Sequence, residues 1–405
     1  MLAAAHRCSL AVIALASSVL VLAGCGGASG ASSASTAAAP GGPTDAGPVN
    51  GIGAGWPALL HGPSHYGTAS VTGPMTAHVR WRRALEGPIV PAPVITASGV
   101  AYVASDAGVL HAITVSTGKD RWRYDGGGSY GGSDLSTAPL VLGDGRIIWP
   151  GPRHMLFGLG ADGRRQWTIA GNADLLTPVL DPATQDLVVA DQSGQLSGYR
   201  LPRGAGPPSR LWSLHLATTS FGNPVVAADG TIYQTAGDAL FALAPDGRVR
   251  WKVPTPSSIE TSPAVAQGGI VVFGSNDQRE YGVDPGGHVR WRAAIGNFTY
   301  SSPLTTAGHR AIFGNHSGQM TVLDSDTGRL ISRDQGAGQL WTAAAVDGRG
   351  DAYFASRTGH IFGFGVSGRR LFDLNAGSTF DSYPALAPDG TLLVGSDGGT
   401  LYAIR

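Results

Sequence analysis

Residues able to do chemistry are thinly spread in this chain. The eleven histidines form no HxH or HExxH, so zinc hydrolysis has no local signature. The two cysteines, Cys8 and Cys25, both lie near the N-terminus, which leaves no disulfide, thiolate-bound zinc or thiol nucleophile for the folded part. No Gly-x-Ser-x-Gly elbow is present. The glycine-rich runs Gly127–Asp134 and Ser396–Gly399 have no following lysine or helix, so they read as hairpin loops rather than phosphate cradles. Asp324-Ser325-Asp326-Thr327-Gly328 has the residue types of a calcium loop, but it is one turn of a repeat. No metal site is expected. Basic and acidic residues balance at 28 each, with only Lys119 and Lys252 as lysines, so the surface carries no electrostatic footprint for nucleic acid.

The elements that position these residues are legible from internal repetition. Gly-x-x-x-Trp occurs at Gly118–Trp122, Gly163–Trp167, Gly247–Trp251 and Gly287–Trp291; Trp81 and Trp212 share its frame. Two further units end in Ser332 and Phe372. These eight positions are spaced 39 to 45 residues apart. A second marker runs in parallel: Pro93, Pro139, Pro178, Pro224, Pro263, Pro303 and Pro384, with Ala344 in the remaining slot. The third is a pair of apolar runs around a central turn, as in AYVASDAGVLHAIT (101–114) and LLVGSDGGTLYAIR (392–405). The 61 glycines and 26 prolines supply the turns.

Each unit therefore reads as four strands: A after the proline, a B–C hairpin, and D ending near the tryptophan. A period near 40 with four strands per unit predicts an all-β, eight-bladed β-propeller of antiparallel blades. The repeats begin with a lone D strand, HVRWRRAL (78–85), and end after a C strand at Arg405. The N-terminal strand is thus expected to join the C-terminal blade and close the ring.

Upstream, residues 1–24 show Arg7 followed by an apolar run, the order of a secretory signal peptide. Leu22-Ala23-Gly24-Cys25 resembles the bacterial lipobox, which implies lipid on Cys25 and a membrane tether; an uncleaved signal anchor is the alternative. Residues 25–54 read as a flexible Gly/Ala/Ser linker, and 55–405 as the propeller. The expected location is the cell envelope, facing the periplasm from the outer membrane where the organism has one.

Over about Trp56 to Arg405 the chain resembles the pyrroloquinoline-quinone-like (PQQ-like) repeat propeller family. IYQTAGDALFALAPDGRVRW (232–251) is similar to that family's B–C–D consensus, and GWPALLHGPSHYGT (55–68) to the strap that precedes its first blade. The resemblance implies that Trp81, Trp122, Trp167, Trp212, Trp251 and Trp291 dock between neighbouring blades. It also raises quinone chemistry, which in such enzymes needs calcium, a catalytic Asp and an aromatic floor. Glu260, Asn223 and Asn297 are the set that could be recruited for calcium.

Residues just before each strand A are expected to share one face of the ring: Tyr130, Asp134, Asp174, Phe221, Asn223, Glu260, Phe298, Tyr300, Trp341, Phe380, Asp381 and Tyr383. Their aromatic enrichment makes this a candidate binding face. The leading expectation is a monomeric, non-catalytic, membrane-tethered scaffold for a protein partner, needing no cofactor. It is similar in build to the propeller lipoprotein of the outer-membrane β-barrel assembly machinery. A PQQ- and calcium-dependent dehydrogenase, and a surface sensor or carbohydrate-binding module, are the alternatives.

Overall fold

The computed structural model describes residues 55–56, 62–65, 69–131, 137–336 and 338–405. The expected signal peptide, Cys25 with its expected lipid, and Asp134 lie outside them. Among the described residues the chain forms only strands, grouped into eight antiparallel sheets. Segments rich in β-branched and aromatic residues, such as Val100–Ala104 and Val271–Ser275, are buried at every position because a neighbouring sheet covers each face. The outer strands alternate instead, as Val79–Ala84 does, since only one of their faces meets another sheet.

Blade 1 runs through Val94–Thr96, Val100–Ala104, Val109–Thr114 and Lys119–Asp125 as strands A to D. Blades 2 to 7 repeat this order, their A strands starting at Leu140, Val179, Val225, Ala264, Leu304 and Ala345. In blade 8, Ala385–Leu386, Leu392–Gly395 and Thr400–Ile404 come from the C-terminus, and strand D is Val79–Ala84. Trp81 lies opposite Ala403 and Arg83 opposite Leu401, so the two ends of the chain are hydrogen-bonded into one sheet. The joint between blades 8 and 1 is reinforced by charge. Buried His111 of blade 1 sits between Glu86 (2.8 Å) and Asp120 (3.3 Å), and Arg83 pairs with Asp120.

One sheet departs from the four-strand expectation. Gly55–Trp56 adds a fifth strand to blade 1, pairing with Thr96 and Ile95. Strand A is the free inner edge of every blade, and here the leader satisfies its backbone groups. Downstream, the carbonyls of Pro63, Ser64 and His65 accept the N–H groups of Val226, Val265 and Thr305, one in each of three successive A strands. His65 is buried and its Nδ1–H donates to the Pro263 carbonyl (3.0 Å). Ala69 then bonds Val346, and Gly73 N–H donates to the buried Asp347 carboxylate at 2.8 Å. The leader is a strap laid along the ends of the A strands of blades 4 to 7.

The tryptophans lie where blades meet. Their indole N–H groups donate to carbonyls of the next blade: Trp81 to Val115, Trp122 to Ala161, Trp212 to Pro245, Trp251 to Pro285 and Trp291 to Ser325. Each ring rests on the turn glycine of that blade. A Cβ added at Gly163 would fall 2.6 Å from the Trp122 ring, and one at Gly287 2.8 Å from that of Trp251. Trp167 is buried among Leu142, Leu156 and Leu187, across the joint between blades 2 and 3.

Blade 6 is built differently. Elsewhere the tryptophan faces a small residue on strand C, as Trp122 faces Ala112 and Trp291 faces Gly282. In blade 6, Ser332 faces Val322, so the bulk has moved from strand D to strand C.

Candidate functional site

The end of the ring opposite the strap begins with the residues that precede each strand-A proline. Proline forces its predecessor into an extended conformation. Thr177, Asn223, Ser262 and Ser302 directly precede such prolines, and their side chains form a buried belt. Ala138 N–H donates to Thr177 Oγ1 (2.9 Å), Thr177 N–H to Asn223 Oδ1 (2.7 Å), Asn223 N–H to Ser262 Oγ (2.9 Å), and Ser262 N–H to Ser302 Oγ (2.9 Å). Blades 2 to 5 thus each hand a backbone donor to the side chain of the next. Blade 7 has Ala343 and Ala344 in this region and offers no side-chain oxygen there. Tyr383 of blade 8 reaches past it, its hydroxyl 3.4 Å from Ser302 Oγ.

Above the belt is a cavity of about 310 Å³ lined by Thr137, Leu176, Gln192, Phe221, Asn223, Glu260, Ser262, Tyr300, Trp341, Asp381 and Tyr383. Seven blades contribute, so no single blade contains the site. The walls are graded. Phe221 is exposed, Tyr300 and Trp341 are half-buried, and Tyr383 and Asn223 are buried.

Two carboxylates reach the cavity in different states. Asp381, almost wholly buried, is paired with Arg357 Nη1 at 3.0 Å. The Arg357 guanidinium in turn lies 3.8 Å over the Trp341 ring. Glu260 is half-buried, and Oε1 accepts a hydrogen bond from Asn276 Nδ2 at 2.8 Å. No arginine, lysine or histidine among the described residues pairs with it. Burial raises the Tyr300 phenol above its ordinary pKa, and the Glu260 charge adds to that.

Trp341 is held from both sides. Its ring meets Tyr300 edge-on with centroids 4.8 Å apart, and its indole N–H donates to His316 Nδ1 at 3.0 Å. Burial, and secondarily Arg357, lower the His316 pKa, which keeps the imidazole neutral and its Nδ1 free to accept. Phe298 packs on that imidazole at 4.4 Å.

The expected ring-face residues therefore divide. Phe221, Asn223, Glu260, Tyr300, Trp341, Asp381 and Tyr383 meet around one cavity. Phe380 does not belong to an exposed face: it is fully buried, packed edge-on to Tyr402 in the core between blades. Its side chain enters that core while its neighbour Asp381 lines the cavity. Tyr130 packs against Trp149 in the adjacent blade, with its hydroxyl donating to the Pro150 carbonyl at 2.7 Å. Phe298 supports the wall from behind, and Asp174 pairs with His154. Sequence reasoning did not single out Gln192, Arg357 or His316. Each lies on or beside a B–C turn, far in sequence from the proline marker. The belt residues had a readable signal: a small polar residue immediately before the proline.

The oxygen set considered for calcium does not converge. Asn223 is consumed by the belt, its Oδ1 taken by Thr177 N–H and its amide bonded to Ser262 Oγ at 3.1 Å. Asn297 Oδ1 accepts the N–H of Phe298 and is not part of the cavity wall. That leaves the Glu260 carboxylate alone of the set, too few donors for a calcium cage. No catalytic step through a calcium–quinone pair is derived from these residues.

The family model described as "Outer membrane protein assembly factor BamB" matches residues 64–206 and 207–405. No curated protein matches the chain by sequence. Solved structures with a similar fold include BamB from Moraxella catarrhalis, at 13% identity and TM-score 0.63, covering 81% of this chain and 99% of that one. The quinohemoprotein alcohol dehydrogenase of Comamonas testosteroni is 12% identical with TM-score 0.66, covering 86% and 80%. Sqt1 of Saccharomyces cerevisiae is 12% identical with TM-score 0.67, covering 84% and 99%. At such identities the three structures speak to the fold alone.

Proposed function

Because the chain belongs to the family described as outer membrane protein assembly factor BamB, we propose that it is a non-catalytic scaffold that binds a protein partner in outer-membrane protein assembly. The observation that carries this reading is the family match, which spans both halves of the ring. The cavity end of the ring supports it. Phe221 stands exposed beside half-buried Tyr300 and Trp341, the residue types that dominate protein-binding surfaces. Belt and strap hold these side chains on a rigid frame, which lowers the conformational entropy lost on binding. A lipid on Cys25 and the 25–54 spacer would tether the ring to a membrane at the place where such a partner works.

Affinity capture from detergent-solubilised envelopes of the source organism tests the reading. The full-length protein is expected to retain subunits of the outer-membrane β-barrel assembly machinery, and loss of Phe221 and Trp341 together to reduce that recovery. Recovery of none of these subunits would overturn it. A titration with PQQ and calcium is expected to give neither cofactor absorbance nor dye reduction. Mass spectrometry of the mature N-terminus, finding diacylated Cys25 or an intact residue 1, decides the tether.

A further inference from the structure

We propose that the ring cavity is a receptor for a cationic side chain, an arginine for preference, presented on a loop of the protein partner. The inference rests on the scaffold reading above and names what that scaffold would grip. Two parts of the cavity wall differ in how their carboxylates are partnered. On one side Arg357 Cζ lies over Trp341, 3.8 Å from the ring centroid, and Nη1 bonds Asp381 at 3.0 Å, so a guanidinium is held by an indole and a carboxylate. On the other side Glu260, Tyr300 and Phe221 offer a carboxylate beside aromatic rings, and no cation of the described chain answers it.

Three features make this more than a surface acid. Glu260 is half-buried in a concavity, where its field is less screened than on an open surface. The Asn276 amide (2.8 Å) fixes one oxygen, so the other is oriented before any ligand arrives. With Arg357 neutralising Asp381, Glu260 is the one charge left over among the described lining residues, and it gives the cavity a net negative character. A volume of about 310 Å³ suits one long side chain and lies at the small end of ligand sites. Guanidinium fits better than ammonium because its plane can stack on Tyr300 or Phe221 while its N–H fork meets the carboxylate.

The test is isothermal titration of the full-length protein with two capped tripeptides, Ac-Gly-Arg-Gly-NH2 and its citrulline counterpart, which keeps the shape and loses the charge. The arginine peptide is expected to bind at least about tenfold more tightly than the citrulline peptide. Glu260→Gln, which preserves the acceptor for Asn276, is expected to abolish that preference with an unchanged near-ultraviolet circular dichroism spectrum. Raising the salt concentration should weaken only the arginine complex with wild type. Equal affinities for the two peptides, no binding of either, or a preference that survives in Glu260→Gln would overturn the proposal.

Capture of the assembly subunits separates this outcome from failure of the scaffold reading. If wild type captures them but shows no arginine preference, the cation site is wrong and the scaffold stands. If the preference is present and capture fails, the scaffold is wrong and the cation site stands.

Discussion

His65 and Glu280 are both buried titratable side chains, and burial acts on them with opposite consequences. His65 holds the strap, and burial lowers its pKa from 6.5 to about 4 despite its bond to the Pro263 carbonyl. The unfolded chain therefore takes up a proton near pH 6.5 that the folded chain refuses until about pH 4. Stability from this group is complete above pH 6.5 and is lost as the pH falls from there to 4, by of order 3 kcal/mol. Urea denaturation across that range is expected to show the loss, with a flatter profile for His65→Gln. Glu280 occupies the strand-C position that holds Leu110 in blade 1 and Leu240 in blade 4. It is fully buried, and neither carboxyl oxygen has a hydrogen-bond partner among the described residues. Burial, aided by the nearby Asp277 charge, pushes its pKa well above the ordinary 4.5. The unfolded chain releases this proton above pH 4.5 while the folded chain retains it, so stability falls as the pH rises. Glu280→Leu should stabilise the protein at pH 8 by about 1–3 kcal/mol, with the gain shrinking below pH 4.5.

Among elements, the interblade joint is the unit of stability. Trp291 is 8% exposed, rests on Gly328 and bonds Ser325. Trp291→Ala is expected to cost about 3–5 kcal/mol in chemical denaturation. The joint between blades 6 and 7 supplies the converse experiment. A Cβ at Gly368 would find Ser332 only at 3.8 Å, where the sister glycines meet an indole. Ser332→Trp alone would collide with Val322, which stands where the other blades have Gly or Ala. Combined with Val322→Ala, the ring should seat and add about 2 kcal/mol. A double variant no more stable than Ser332→Trp alone would show that the pairing does not govern this joint.

At the scale of the whole molecule, Val79–Ala84 unites the first and last parts of the chain. Deleting residues 400–405 removes its partner and opens the ring, leaving unpaired edges in blade 8. The thermal midpoint is expected to fall on the order of 10 °C with a broader transition, as scanning calorimetry would show. The belt makes the same point about the site. Its links run from one blade to the next, so an opened ring also loosens the frame beneath the cavity.

Strand order was legible in the sequence because it is encoded within about forty residues, blade number because that unit recurs eight times, and closure because the repeats begin with a D strand and end with a C strand. Side-chain alternation, turn glycines and the proline before strand A act locally, and eight repetitions leave one consistent architecture. The fifth strand of blade 1 was not legible, since Gly55–Trp56 carries no alternation long enough to read. The cavity was half legible. The proline marker brought Glu260, Tyr300 and Trp341 to one end of the ring, but it also pointed to Phe380, whose ring turns into the core. Which residues near a strand end face the axis depends on blade twist and on the adjoining blade, information no single repeat contains. For the same reason only the tertiary structure paired Arg357 of blade 7 with Asp381 of blade 8 and left Glu260 of blade 5 without a cation, because those charges come from different blades.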